Sequence, residues 1–316
     1  MKRIKLGNTD LEVSTIAFGG NVFGWTVSEK ESFVLLDEMF EKGLTFIDTA
    51  NNYSHWASGN VGGESEVIIG KWFKQSKKRH DIVLSTKVGG SMKGVERGLS
   101  RQQIITGVDA SLTRLQTDYI DLYFSHHDDL ITPIEEVMEA YQELIKVGKV
   151  RYLGASNLTA ARISESNTLA KSREWSKYEV LQPLYNLFDR SIFEQEYLPL
   201  AKDKNLAVMS YFALANGFLS GKYNSIEETY GTAREDMLKG YFTERGIRIL
   251  NAVKEVAYKY NATSSEIAIA WQLFQECRII PIVSATTQGQ LKCLLKSTNI
   301  NLTNEDMLLL NKASEL

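Results

Sequence analysis

The segment Gly43-Leu44-Thr45-Phe46-Ile47-Asp48-Thr49-Ala50-Asn51-Asn52-Tyr53 opens on a helix-stopping glycine and continues as a short apolar run, Leu44 to Ile47. The run ends in a carboxylate, and a tyrosine follows five residues later on an expected loop. A parallel strand buried on both faces can place an acid only at its end, where helix termini and partner cations receive it. Taken alone, Asp48 reads as a helix or turn cap. A second segment changes that reading: Ile82-Val83-Leu84-Ser85-Thr86-Lys87 has the same build and closes in a lysine.

Outward from these two strands the chain alternates. Arg3 to Leu6 and Leu11 to Val13, separated by Gly7-Asn8-Thr9-Asp10, predict a β-hairpin. Ser14 to Phe18 predicts a buried strand ended by Gly19-Gly20, and Glu29 to Lys42 carries apolar residues at helical spacing. Helices are expected over Glu64 to Phe73, from a Ser100 cap to Leu115, over Pro133 to Val147 and from Thr159. The intervening strands are Tyr119 to Phe124, Val150 to Leu153 closed by Gly154, and Tyr178 to Leu181. A helix near Ile192 to Lys202, a strand over Leu206 to Tyr211, a long loop to Phe242 and two helical stretches, 243–260 and 264–275, follow. Arg278 to Val283 is the last strand, and helices over 288–296 and 303–313 complete the chain. Eight such strand–helix units with no linker between them predict an α/β fold, a (β/α)8 TIM barrel spanning 1–316 as one domain with an N-terminal hairpin and C-terminal helices. A doubly wound sheet is the alternative, but Gly19-Gly20-Asn21-Val22-Phe23-Gly24 does not match the dinucleotide-binding glycine fingerprint.

Composition agrees with an ordinary globular enzyme-sized chain: 316 residues, 43% apolar and 24% charged. A net charge of −3 makes no electrostatic case for nucleic acid or an anionic membrane. Cys277 and Cys293 are neither a disulfide framework nor a metal cluster, and the N-terminus lacks the apolar core of a signal peptide. No apolar run approaches the roughly 18 residues of a membrane span. A cytoplasmic location is the expectation.

Barrel geometry brings the carboxyl ends of the strands to one face. There Asp48 and Tyr53, Lys87, and the pair His126-His127 after the fourth strand should converge. A phenol near pKa 10 is a poor acid or base at neutral pH; a nearby ammonium lowers that pKa, and a carboxylate keeps the ammonium paired. His126 could orient an oxygen or relay a proton. Such a set protonates a developing alkoxide, as carbonyl reduction requires. His126 and His127, adjacent at a strand end, are expected to face opposite sides, which argues against chelation of one metal; no metal is assigned.

The combination Phe46-Ile47-Asp48-Thr49-Ala50-x-x-Tyr53, Ser85-Thr86-Lys87 and Asp121-Leu122-Tyr123-x-x-His126-x-x-Asp129 resembles the aldo-keto reductase superfamily. Gly154-Ala155-Ser156-Asn157, Gln182-Pro183-Leu184-Tyr185-Asn186 and Gly217 to Tyr223 extend the resemblance from Leu6 to about Leu310. It implies an NADPH-dependent oxidoreductase that reduces aldehydes or ketones, with Asp48, Tyr53, Lys87 and His126 as catalytic tetrad and Tyr53 as general acid/base. It further implies cofactor contacts from Gly20 and Asn21, from Ser156, Asn157 and Gln182 to the nicotinamide carboxamide, and from Tyr211 to the ring. Phe212-Ala213-Leu214 stands where the family carries Ser-Pro-Leu, so a different backbone turn is expected there.

Gly217 and Lys222 match a pyrophosphate segment, which lacks Walker spacing. After the last strand Ser284, Thr286 and Gln290 carry no cation before Lys292, which taken alone favours NAD. The potassium-channel β-subunit branch, resembled also at Glu96 to Arg101, uses a hydroxyl, a Gln and a loop arginine for the 2′-phosphate of NADP; Arg234 is the matching arginine. Trp25, His55 and Trp56 are expected at the substrate rim. A cofactor-sensing regulatory subunit and a polyol or sugar dehydrogenase are the alternatives, and nothing in these features specifies an oligomeric state.

Overall fold

A computed structural model describes residues 1–315. The chain opens with a hairpin, β1 (Arg3–Lys5) and β2 (Glu12–Ser14), antiparallel with Ile4 opposite Val13. Then come β3 (Ala17–Gly19), α1 (Glu29–Glu41), β4 (Phe46–Asp48), α2 (Glu64–Ser76), β5 (Val83–Val88), α3 (Arg101–Leu115) and β6 (Ile120–Ser125). Next are α4 (Ile134–Lys146), β7 (Val150–Ser156), α5 (Ala160–Ser172), β8 (Tyr178–Gln182), α6 (Leu198–Lys204), β9 (Ala207–Ser210) and a four-residue α7 (Glu235–Leu238). The chain closes with α8 (Glu244–Tyr260), α9 (Ser264–Leu273), β10 (Ile279–Val283), α10 (Gln288–Ser297) and α11 (Asn304–Ser314). Strands β3 to β10 are parallel in chain order and β10 pairs back onto β3, so the sheet is a closed barrel. The expected (β/α)8 TIM barrel with its N-terminal hairpin is what forms.

Alternation along the strands decides what fills it. Phe46, Leu122, Phe124, Val180, Met209 and Ile280 form one buried cluster in the barrel with Leu6, Leu11 and Val13 of the hairpin, which closes the end opposite the strand carboxyl termini. The outward residues of the strands meet the helices in two larger clusters. Ser100 caps α3 as its sequence predicts, with Gln103 returning the bond, and Gly43 and Gly148 end their helices at φ +77° and +76°.

The boundaries depart from the sequence reading in instructive places. Ser14 belongs to the hairpin, paired with Arg3, so the first barrel strand starts at Ala17. Leu44 and Thr45 precede β4, and β5 runs one residue past Lys87. Gly154 does not end a strand: β7 continues through it to Ser156, with an irregular register at Leu153/Gly154. The glycine is there because a Cβ at this position would overlap the Phe124 ring. Phe124 in turn pairs with Lys87 across β5 and β6, so this contact holds the strand that carries the lysine.

Gly154→Ala is therefore expected to cost about 1–3 kcal/mol, the scale of core overpacking. Urea denaturation checks it, and a loss below about 0.5 kcal/mol would mean that Phe124 moves aside freely.

Candidate active site

Register assembles the polar centre. Asp48, the last residue of β4, lies beside Ser85, and Lys87 stands two residues further along β5 on the same face. Asp48 and Lys87 are both 0% exposed, with Oδ2 and Nζ 2.7 Å apart. The ammonium donates to three acceptors: Asp48 Oδ2 at 2.7 Å, the Thr49 carbonyl at 2.8 Å and Tyr53 Oη at 2.9 Å. Asp48 Oδ1 accepts from Ser85 Oγ at 2.7 Å and from Gln182 Nε2 at 3.0 Å. Both buried charges are thus fully engaged, which is the condition under which a buried pair survives.

Tyr53 reaches this pair because the loop after β4 is stitched to β5. Thr49 N donates to the Ser85 carbonyl and Asn51 N to that of Lys87, and Tyr53 N closes a turn on Ala50. Its hydroxyl lies 3.4 Å from Asp48 Oδ2, at the long limit of a hydrogen bond, so the phenolic proton is weakly held. The sequence reading has the ammonium lowering this phenol's pKa, but the net shift is upward. Burial first, then the Asp48 carboxylate, push Tyr53 well above the ordinary tyrosine value. The Lys87 charge is largely cancelled by Asp48 at 2.7 Å, while burial penalises the phenolate in full. Burial also pulls the Lys87 ammonium down, with Asp48 opposing it. Tyr53 stays protonated across neutral pH.

His126 follows the end of β6, its N–H donating to the Val88 carbonyl at 2.7 Å. Its ring stacks on His127, centroids 4.5 Å apart and planes 26° from parallel, so the two do not face opposite sides. Alternation applies only inside a strand, and both residues lie beyond Ser125. Burial, then Lys87 and His127, push the His126 imidazole well below its usual range; His127 is pushed down to about 4, mainly by burial and Arg97. Both rings are neutral at pH 7.

A cavity of about 400 Å³ opens above this centre, with Tyr53, His126 and Gln182 in its wall. Ser156 and Asn157 line it where β7 ends; Ser156 Oγ donates to the Gln182 carbonyl and Asn157 Nδ2 to that of His126. Tyr211 lines it too and donates to Asn157 Oδ1 at 2.9 Å. Across the cavity Ser284 Oγ donates to Asn21 Oδ1 at 2.6 Å. Phe212, Leu214 and Gly217 form a further wall. In the turn there, Phe212, Ala215 and Asn216 all have φ near +50°. Asn186 Nδ2 and Gln272 Nε2 hold the Phe212 and Ala213 carbonyls at 3.0 Å, a tether in place of a proline.

Arg234 reaches the cavity from the turn just before α7. It donates to the Asn216 carbonyl at 3.1 Å, lies 5.8 Å from the Trp25 ring centroid and has no carboxylate partner among the described residues. Trp25 and Trp56 meet edge to face at 5.6 Å, and Trp56 meets Tyr53 at 6.1 Å, so aromatic rings run from the rim to the phenol.

Seven of the expected residues lie outside the cavity lining: Asp48 and Lys87 beneath it, and five elsewhere. Gly20 is buried beside Ser65, His55 packs on the edge of Trp56, and Lys222 is exposed over the Tyr223 ring. Thr286 and Gln290 bond each other at 2.8 Å. The sequence reading gave no role to Asn52, Asn216 and Met237, all in the lining, or to Ser85 beneath it; His127, which it placed beside His126, lines the cavity too. Ser85 was findable, since it precedes Lys87 by two on a strand; Met237, in the four-residue α7, and Asn216, in the turn after β9, carried no such signal.

The family description "Aldo/keto reductase family" matches residues 15–315. The chain is 34% identical to the uncharacterized oxidoreductase YrpG of Bacillus subtilis (strain 168), over 98% of this chain and 95% of that protein. It is 33% identical to the aldo-keto reductase YhdN of the same organism, over 97% and 91%. A probable voltage-gated potassium channel subunit beta of Arabidopsis thaliana is 32% identical over 95% and 92%. With a match over nearly its whole length on a closed eight-stranded barrel, this chain belongs to the aldo/keto reductase family.

Proposed function

We propose that the chain is an NADPH-dependent carbonyl reductase, one barrel domain over 1–316, that converts aldehydes or ketones to alcohols with Tyr53 as general acid. The observation that carries this reading is the Tyr53 hydroxyl, 2.9 Å from a buried ammonium and in the wall of the cavity. Family membership supports a nicotinamide cofactor and a small carbonyl substrate in coarse terms. No helix among the described residues is long and apolar enough to cross a membrane.

The lining suits a planar aromatic carboxamide: amide and hydroxyl groups from Ser156, Asn157 and Gln182 for its edge, and the Tyr211 ring for its face. Asn216 Oδ1, buried without a partner in the same lining, offers a further acceptor. When bound, the reduced nicotinamide supplies a hydride to the carbonyl carbon. Tyr53 gives its proton to the carbonyl oxygen as the C–O π pair moves onto that oxygen, which yields the alcohol. Lys87 stabilises the phenolate left behind, Asp48 keeps Lys87 paired, and neutral His126 orients the carbonyl. Trp25 and Trp56, with His55 behind them, present an aromatic rim to the substrate. Gly20, Asn21, Phe212, Leu214, Gly217, Lys222 and Ser284 complete the cofactor's seat, with Arg234, Thr286 and Gln290 for the 2′-phosphate that distinguishes NADP from NAD. A regulatory, cofactor-sensing role gains support from the channel-subunit relative. The complete acid–base set favours an enzyme, and oxidation of a polyol or sugar is the same chemistry reversed.

Tyr53→Phe keeps the ring and removes the proton. NADPH binding should persist while carbonyl reduction falls by about 10²–10⁴-fold; near wild-type turnover would exclude Tyr53 as the donor.

Lys87→Met removes the group that stabilises the phenolate and should reduce kcat more than His126→Asn does. Steady-state rates across a pH series decide this, and an unchanged profile in Lys87→Met would count against the arrangement.

Arg234→Ala should weaken NADPH by roughly 1.5–3 kcal/mol, the scale of a charge-assisted bond, and leave NADH unaffected. Fluorescence titration of both cofactors checks this, since equal losses would remove Arg234 from the phosphate site.

A further inference from the structure

Tyr211 is held at both ends of its side chain. Its backbone N–H donates to the Pro183 carbonyl at 3.0 Å, just past the end of β8, and its hydroxyl donates to Asn157 Oδ1 at 2.9 Å. The direction of that second bond follows from the rest of the amide. Asn157 Nδ2 donates to the His126 carbonyl at 2.9 Å and to Ser156 Oγ at 3.1 Å, and a carbonyl can only accept, so the nitrogen occupies that end. Oδ1 therefore faces Tyr211 and takes the phenolic proton. Asn157 stands here because its backbone turns left-handed, φ +54°, directly after β7, a conformation that asparagine tolerates better than most residues. In a tyrosine, Cβ and the hydroxyl oxygen lie on one axis, so fixing both leaves the ring only rotation about that axis. Phe212, edge to face with Tyr211 at 5.1 Å and 76°, restricts that rotation.

We propose that Asn157 is a positioning residue for Tyr211: its amide oxygen pins the phenol ring before the nicotinamide arrives, so that the ring offers a preset face for stacking. This rests on the reading of the cavity as a nicotinamide site. A free aromatic side chain gives up rotamer freedom when a ligand stacks on it, and a tether to the wall removes that cost in advance. Burial pushes the Tyr211 phenol up to about 12, so its proton is present throughout the neutral range. The bond is exposed in the free protein, where water competes for both partners. A cofactor that covers the cavity excludes this water and strengthens the bond, so the tether contributes to the affinity for the nicotinamide half. Oδ1 has a second lone pair, and holding Tyr211 leaves that one for a carboxamide N–H. Phenylalanine at position 211 could stack equally but could not be tethered.

The test separates the nicotinamide half of the cofactor from the remainder. Calorimetric titration measures NADPH and 2′-phospho-ADP-ribose, which lacks the nicotinamide, against wild type, Tyr211→Phe, Asn157→Gly and the double variant. Tyr211→Phe should weaken NADPH about five- to tenfold, the scale of one hydrogen bond, and leave the fragment within about twofold. In Asn157→Gly the left-handed backbone is tolerated and the acceptor is gone, so the same change should cost less than about twofold there. Asn157→Asp retains an acceptor oxygen and should restore the loss on Tyr211→Phe, so the series keeps its meaning if Asn157→Gly does not fold. A general disturbance of the wall would weaken NADPH and the fragment alike, and that result overturns the proposal. So does an equal loss in the wild-type and Asn157→Gly backgrounds, or no loss in either. Wild type that binds neither NADPH nor NADH would overturn the functional reading and this proposal together, whereas binding with losses that simply add overturns the proposal alone.

Discussion

The ion pair between Lys87 and Asp48 is the constraint to which the rest of the site answers. Two opposite charges with no solvent exposure are costly unless every proton and lone pair has a partner, and removing one partner strands the other. Here the saturation comes from three strands and one loop: Asp48 from β4, Ser85 and Lys87 from β5, Gln182 from β8, and Thr49 and Tyr53 from the loop after β4. Gln182 reaches Asp48 across the barrel, 134 positions away in the chain. Such a network can form only when the barrel is closed, so the site and the fold are one cooperative object. The hairpin matters for the same reason: Leu6, Leu11 and Val13 keep water from the far end of the barrel interior.

Much of this was legible in the chain because parallel strands buried on both faces leave few meanings for a polar residue. Asp48 and Lys87 stood out by ending apolar runs, and the closed barrel brings both, with Tyr53 and His126, to one face. What failed were inferences from local rules applied past their range. Gly154 looks like a strand stop, yet its lack of a side chain answers to Phe124 on the next strand. Alternation was extended to His126 and His127, which lie outside the strand and stack. The direction of the Tyr53 shift was misjudged because the ammonium was weighed without its counter-ion: burial depth and the 2.7 Å pairing are tertiary quantities that no spacing encodes. Asn216 reaches the cavity through a turn with positive φ, and Arg234 and Met237 from the turn before α7 and from α7 itself, destinations that no spacing encodes.

The distribution of satisfied and unsatisfied groups separates two kinds of polar residue. Beneath the cavity floor, Asp48 and Lys87 have all their capacity filled within the protein. Similar closure holds at Glu66, fully buried behind Lys87, which accepts from Thr86 at 2.6 Å and from Arg114 at 2.7 Å. In the cavity wall the pattern reverses: Asn52 Oδ1, His126 Nδ1 and Asn216 Oδ1 are buried without partners, and Arg234 has a backbone carbonyl but no carboxylate.

An unpaired buried polar group costs on the order of 1–3 kcal/mol, so a wall of them is a standing penalty in the free protein. The floor could not tolerate that penalty, because charges there would neutralise rather than remain unpaired. The wall can, because its groups are neutral or reach the rim, and a ligand that supplies the missing partners recovers the cost as affinity. This explains why the tightest part of the site is its acid–base centre and the most strained part is the turn at Phe212 to Gly217. The centre must keep one geometry through every step, whereas the wall must exchange its partners each time a ligand enters and leaves.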